Sequence, residues 1–322
     1  MRHDKLEVQI PRLAPLARDD RGRALIIGLA LLTAASAVSV GAQSQPTSRS
    51  RSMTEAHTMM QTSKPIHAGY AKVNGLRMYY ELHGTEGFPL VLVHGGGSTI
   101  TTTFGRILPM LARTHRVIAV EMQAHGHTRD IDRPFTFTQD ADDIATLLDT
   151  LHVAQADVFG FSNGGTTALQ VGIRHPAKVR RLIIASSNYK RDGMVDGFWD
   201  SMEKGTFADM PQIFKDELRK IDPSDAAAHA LFERDSKRML AFKDIPDQEI
   251  KSIQAPALVL DGDRDVVRVE HAVELTRLLP HGRLCILPGE HGEYFGEISH
   301  PVADRVTRGF VDLVDEFLGA DR

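Results

Sequence analysis

Gly160-Phe161-Ser162-Asn163-Gly164 is the stretch on which the reading of this chain turns. It closes an apolar run, 157–161, and opens a segment with helical spacing, so Ser162 sits where a strand bends sharply into a helix. A serine on such a turn is held in a strained backbone conformation, and only small residues two places before and after it avoid a clash. Gly160 and Gly164 fill those places. A GxSxG match is also met in ordinary glycine-rich turns, so its meaning rests on its surroundings.

Acyl transfer needs an oxyanion hole, a base and an acid that orients the base, each at the end of a strand. Upstream, the apolar run 89–93 leads into His94-Gly95-Gly96-Gly97, a loop whose backbone amides suit a developing oxyanion. Gly96 is the expected donor there. The Asn163 amide, first in the helix after Ser162, is the expected second donor, because amides at a helix start lack partners and the helix dipole favours negative charge. Downstream, the run 257–260 ends in Asp261-Gly262-Asp263-Arg264-Asp265. Asp261 keeps the strand register and Asp263 reads as a turn residue, which leaves Asp265, three places after Gly262, as the acid. The last strand, 283–287, is followed by Pro288-Gly289-Glu290-His291-Gly292, so His291 is the expected base. Its rival, His300, stands in Ser299-His300-Pro301 at the entry to a helical stretch.

With these motifs in the order Ser162, Asp265, His291, the chain resembles the α/β-hydrolase superfamily, and the likeness runs from about residue 67 to 320. The resemblance implies a mostly parallel eight-stranded sheet flanked by helices, with a helical lid inserted late in the strand series. Many relatives carry DxRGxGxS after the fourth strand. This chain has Glu121-Met122-Gln123-Ala124-His125-Gly126-His127-Thr128, which departs at Glu121, Gln123, Ala124 and Thr128 and puts that loop's pocket chemistry in doubt.

The elements expected from pattern are a hairpin of 71–73 and 76–82 about Asn74-Gly75, then strands at 89–93, 116–120, 157–161, 181–185, 257–260 and 283–287, with a core-facing helix at 139–151. Between 187 and 254 the strand series stops and helical spacing takes over, giving a core of 67–186 and 255–322 interrupted by a lid. Trp199, Met202 and Phe207 are expected to line the pocket under that lid, because methionine and aromatic groups adapt to bulky apolar ligands.

Residues 24–42 form an uncharged run after Arg18, Arg21 and Arg23 and end in Val40-Gly41-Ala42. Residues 1–42 read as a signal peptide, which implies a periplasmic or secreted enzyme, or as an uncleaved membrane anchor. Translation from Met53 or Met59 would instead leave the protein in the cytoplasm. Residues 43–66 read as a linker. The net charge of −4 and the lack of a basic stripe speak against nucleic acid as a partner. The single cysteine, Cys285, rules out a disulfide within the chain. The expected activity is a serine esterase that needs no metal or organic cofactor and acts through an acyl-enzyme on a small-molecule ester or lactone. HGGGSTITTTFGR (94–106), FGFSNGGTTALQ (159–170) and SNYKRDGM (187–194) are similar to serine-dependent macrolide esterases, which open macrolide lactone rings. Two alternatives stay open: carbon–carbon bond or enol-lactone hydrolysis in aromatic degradation, and a non-catalytic small-molecule receptor.

Overall fold

The computed structural model describes residues 64–319; the signal-peptide or anchor reading of 1–42 and most of the linker lie outside the described residues. Asn74 and Gly75 adopt φ values of 46° and 83°, which turns β1 (His67–Val73) tightly back onto β2 (Leu76–His83). After this hairpin the chain alternates strand and helix. β3 (Pro89–Val93), α1 (Ile100–Phe104), α2 (Leu108–Leu111), β4 (Arg116–Glu121), α3 (Phe137–Thr150), β5 (Ala156–Phe161), α4 (Asn163–Arg174) and β6 (Val179–Ala185) follow in turn. Next come α5 (Phe198–Lys204), α6 (Gln212–Ile221), α7 (Asp225–Leu240) and α8 (Asp247–Lys251), and then β7 (Ala257–Gly262), α9 (Val269–Leu278), β8 (Gly282–Leu287) and α10 (Asp304–Gly319).

The strands form one eight-stranded sheet in the order β1-β2-β4-β3-β5-β6-β7-β8. The β1–β2 and β2–β4 pairings are antiparallel and the rest are parallel, which matches the α/β-hydrolase architecture expected. Every residue of β3, β5 and β7 is buried, as continuous apolar strands in a sheet covered on both faces must be. Alternate residues of each strand face opposite ways. Val91, Val93, Val158 and Val259 pack with α3, α4 and α9, whereas Leu90, Leu92, Phe159 and Leu258 pack with α1, α2 and α10.

The interior strands begin and end within two residues of expectation. β1 starts earlier, at His67, because its first four residues are exposed or half-exposed at the sheet edge and carry no alternation. The helical stretch expected between the sixth and seventh strands is present as α5 to α8, with its own apolar clusters about Phe198, Met202, Met239 and Phe242 and about Phe214, Leu231 and Phe232. Among the described residues no helix is long and apolar enough to cross a membrane.

The turn between β5 and α4 is closely packed, backbone against backbone. A Cβ on Gly160 would lie 2.0 Å from the Gly164 carbonyl oxygen, and one on Gly164 would lie 2.1 Å from that of Val93. Both neighbours are backbone atoms and cannot swing aside. Gly164→Ala is therefore expected to cost about 3 kcal/mol or more, read as a fall in the urea midpoint of unfolding or as loss of soluble protein.

Candidate functional site

Ser162 follows the last residue of β5 with φ 54° and ψ −121°, the left-handed strain that the flanking glycines make possible. It borders a cavity of about 70 Å³ together with Gly96, Asn163 and His291. Three strand ends thus deliver the expected groups to one place: β3 the glycine loop, β5 the serine, and β8 the histidine. Asp265, three residues past the end of β7, is buried behind His291, and its Oδ1 is 2.7 Å from His291 Nδ1. Among the described residues no hydrogen bond joins Ser162 to His291.

The carboxylate of Asp265 is held from several sides. Oδ1 also accepts from the Val267 amide at 3.2 Å, and Oδ2 accepts from Ser186 Oγ at 2.5 Å. Ser186 Oγ is in turn 2.7 Å from the Tyr294 hydroxyl. Burial alone would push the Asp265 carboxyl up, but His291 and these donors outweigh it and hold it low. Burial alone would likewise lower His291, and the charge and hydrogen bond of Asp265 raise it above its ordinary value instead. Ser186 was not visible as a site residue in the sequence; it stands beside Ser187 after an apolar strand, and only its φ of 49° sets it apart.

The glycine loop is fixed by His94, whose Nδ1–H donates to the Gly95 carbonyl at 2.7 Å and whose Nε2 accepts from the Met122 amide at 3.1 Å. Burial presses its pKa down to about 3, which fits a neutral ring acting as donor on one side and acceptor on the other. The Gly95 amide is taken by Thr103 Oγ1 at 3.3 Å and the Gly97 amide by Asp235 Oδ2 at 2.6 Å. Among the described residues the Gly96 amide has no partner.

Of the three residues expected to line the pocket, only Met202 does so, in company with Met194, Phe198, Phe214 and Met239. Trp199 instead packs edge-on to Phe198, donates to the Arg191 carbonyl at 2.7 Å, and carries the Arg191 guanidinium 3.7 Å above its ring. Phe207 packs against His229 with its ring tilted by 32° and the centroids 3.7 Å apart. The correction has a simple cause. Trp199 and Met202 are three places apart on a short helix, so spacing alone does not say which of the two looks inward. His300 lies off the cavity, 3.3 Å from Glu290, and neither His125 nor His127 lines it. Among the described residues no lysine or arginine borders the cavity and one carboxyl side chain does, Glu297, which is buried and pushed up to about 7, chiefly by that burial.

The chain has relatives of known name. The family model for the alpha/beta hydrolase fold matches residues 89–247. A 2-hydroxy-6-oxo-2,4-heptadienoate hydrolase of Pseudomonas putida is 30% identical over 260 residues, covering 73% of this chain and 90% of that protein. The human serine hydrolase BPHL is 28% identical over 262 residues, covering 76% and 84%. Among solved structures, a meta-cleavage product hydrolase of Pseudomonas fluorescens IP01 superposes with a TM-score of 0.62 at 20% identity, over 80% of this chain and 99% of that one. The enol-lactonase of Burkholderia xenovorans LB400 does so with a TM-score of 0.59 at 22% identity, over 77% and 100%. The likeness to macrolide esterases finds no support among these relatives.

One buried carboxyl near the site makes a test of its electrostatics. Asp261 accepts only from the Gly262 amide at 3.0 Å, and its Oδ2 is buried with no partner among the described residues. Burial first, and the nearby Asp265 charge second, push it up to about 10 from an ordinary 3.8. Folded protein therefore holds this proton where unfolded chain has lost it, so the group removes stability as pH rises from near 4 towards 10. Asp261→Asn, which cannot ionise, should gain on wild type in urea unfolding at pH 9 and much less so at pH 5.

Proposed function

The chain belongs to the α/β-hydrolase fold family, and we propose that it is a serine hydrolase in which Ser162 is the nucleophile, His291 the base and Asp265 the group that orients the base. The observation that carries this reading is the 2.7 Å contact of Asp265 with His291 Nδ1 at the wall of the cavity that a strained Ser162 also borders. With Nδ1 committed to Asp265, Nε2 is the nitrogen left to take the serine proton. The acid then stabilises the imidazolium that forms, in line with the raised pKa of His291. The unpartnered Gly96 amide and the first amide of α4, at Asn163, are the donors for the oxyanion. Water releases the product.

For the bond that is broken, the named relatives favour hydrolysis of a carbon–carbon bond in ring-cleavage dienoates, or of an enol-lactone, over that of a plain carboxylic ester. The same serine, histidine and aspartate serve all three, since each passes through attack on a carbonyl; for the dienoate a proton must first reach the carbon beside that carbonyl, turning the enol to its keto form so that the carbon can leave with its electron pair stabilised. Met194, Phe198, Met202, Phe214 and Met239 suit a substrate with a large apolar part. A second reading, hydrolysis of a neutral ester or lactone, rests on one feature: among the described residues no lysine or arginine lines the cavity to pair with a dienoate carboxylate. A macrolide belongs to that neutral class.

Fluorophosphonate labelling of wild type and Ser162→Ala tests the nucleophile. Wild type should label and the variant should not; a wild type that binds small molecules but neither labels nor turns over would leave a receptor. A mass-spectrometric screen of dienoates, enol-lactones, simple esters and macrolides for the gain of one water then separates the substrate readings. Because His291 must be neutral to accept the proton, kcat/KM on a neutral ester should rise with pH and level off only above the ordinary imidazole value of 6.5.

A further inference from the structure

We propose that Asp235 is a positioning residue for the oxyanion loop: a carboxylate carried by α7, outside the α/β core, that fixes residues 95–97 so that the Gly96 amide stays free for substrate. This rests on the serine-hydrolase reading above. Asp235 has no exposed surface and lies 138 residues from Gly97 in sequence. Its Oδ2 accepts from the Gly97 amide at 2.6 Å and from His125 Nε2 at 2.8 Å, while Oδ1 accepts from Arg238 Nη2 one helical turn on. Each of these partners is itself held. His125 Nδ1 lies 2.8 Å from the Gln123 carbonyl, in the loop after β4. Arg238 Nη1 donates to Asp140 of α3 at 2.6 Å, and its guanidinium sits 4.1 Å over Phe135 and 4.5 Å over Phe137. One carboxylate thus ties α7, the glycine loop and the loop after β4 together.

Two further observations connect this knot to the reacting atoms. A Cβ on Gly96 would lie 2.3 Å from Asn163 Nδ2 and 3.2 Å from Asp235 Oδ2, so the loop, the start of α4 and the carboxylate meet at Gly96. The amides on either side of Gly96 both have side-chain acceptors, Thr103 and Asp235, which leaves the middle amide as the one not spoken for. Energy alone does not account for the arrangement. A buried cluster of carboxylates and a guanidinium is costly to desolvate, and well-packed apolar groups commonly do as well for stability. What apolar groups cannot do is hold a backbone amide by a directed, charge-assisted bond. With that bond gone, three successive glycines have wide freedom, and a misplacement of about 1 Å at an oxyanion donor costs on the order of 100-fold in rate.

The test uses Asp235→Leu and Asp235→Asn in the full chain. Activity is read on p-nitrophenyl acetate and counted per serine titrated by fluorophosphonate. Hydrogen exchange is followed by mass spectrometry on peptides covering 94–104. In Asp235→Leu we expect kcat per labelled serine to fall about 10- to 100-fold with KM within about threefold, and exchange at the Gly97 amide to speed up. Asp235→Asn keeps an oxygen for that amide and should fall less; it also serves if the leucine variant does not fold. Unchanged kcat per labelled serine in a folded variant, a change in KM alone, or unaltered exchange in the loop would overturn the assignment while leaving the serine-hydrolase reading in place. A wild type that fails to label at all removes both.

Discussion

The backbone crossing at the end of β5 is the constraint from which the rest of the site follows. β5 enters, Ser162 is forced to a positive φ, and α4 leaves so close to the entering strand and to the end of β3 that side chains at Gly160 and Gly164 would strike carbonyl oxygens. Because β3 and β5 are neighbours in the sheet, the same crossing lays the glycine loop beside the serine. β6, β7 and β8 continue the parallel order, so Ser186, Asp265 and His291 all arise where their strands end, on the same edge of the sheet. A fold in which the strands from β3 to β8 all run the same way needs only loop residues to gather groups that are far apart in sequence.

Around this crossing, three buried aspartates differ because of their partners rather than their depth. Asp265 faces His291, Ser186 and the Val267 amide and is held low. Asp235 faces Arg238, His125 and the Gly97 amide and is likewise held low. Asp261 is just as buried but has one amide and an adjacent negative charge, and it keeps its proton. Burial penalises all three ions alike, and the donors decide which charges survive.

The parts of the molecule legible in the sequence are those with a local physical cause. Residues 89–93 and 158–161 read as strand because a strand covered on both faces is apolar along its buried length, and the structure places strands there. The glycines about Ser162 and the offset of Asp265 from Gly262 report turns, which are local as well. His67 to Tyr70 escaped notice because an edge strand needs no hydrophobic pattern. Arg180, which pairs with the buried Asp157, masked the start of β6. Trp199 and Phe207 misled because an aromatic side chain can serve the packing of the inserted helices as readily as a pocket. Asp235 was out of reach altogether: on an amphipathic helix it looks like one more solvent-facing acid, and its partners His125 and Gly97 lie more than a hundred residues upstream.

The lack of a lysine or arginine along the cavity wall, among the described residues, bears on the end of a turnover as well as on its start. Hydrolysis of an ester, a lactone or a carbon–carbon bond beside a carbonyl all finish with a newly formed carboxylate at the serine. That anion finds the two backbone amides and His291, the one described side chain at the cavity able to carry positive charge, with Glu297 the one carboxyl beside them. On the serine-hydrolase reading, the hold on the product thus follows the protonation of His291: once that ring has given up its proton, no other cationic side chain among the described residues lines the cavity to retain the carboxylate, and the product acid is free to leave.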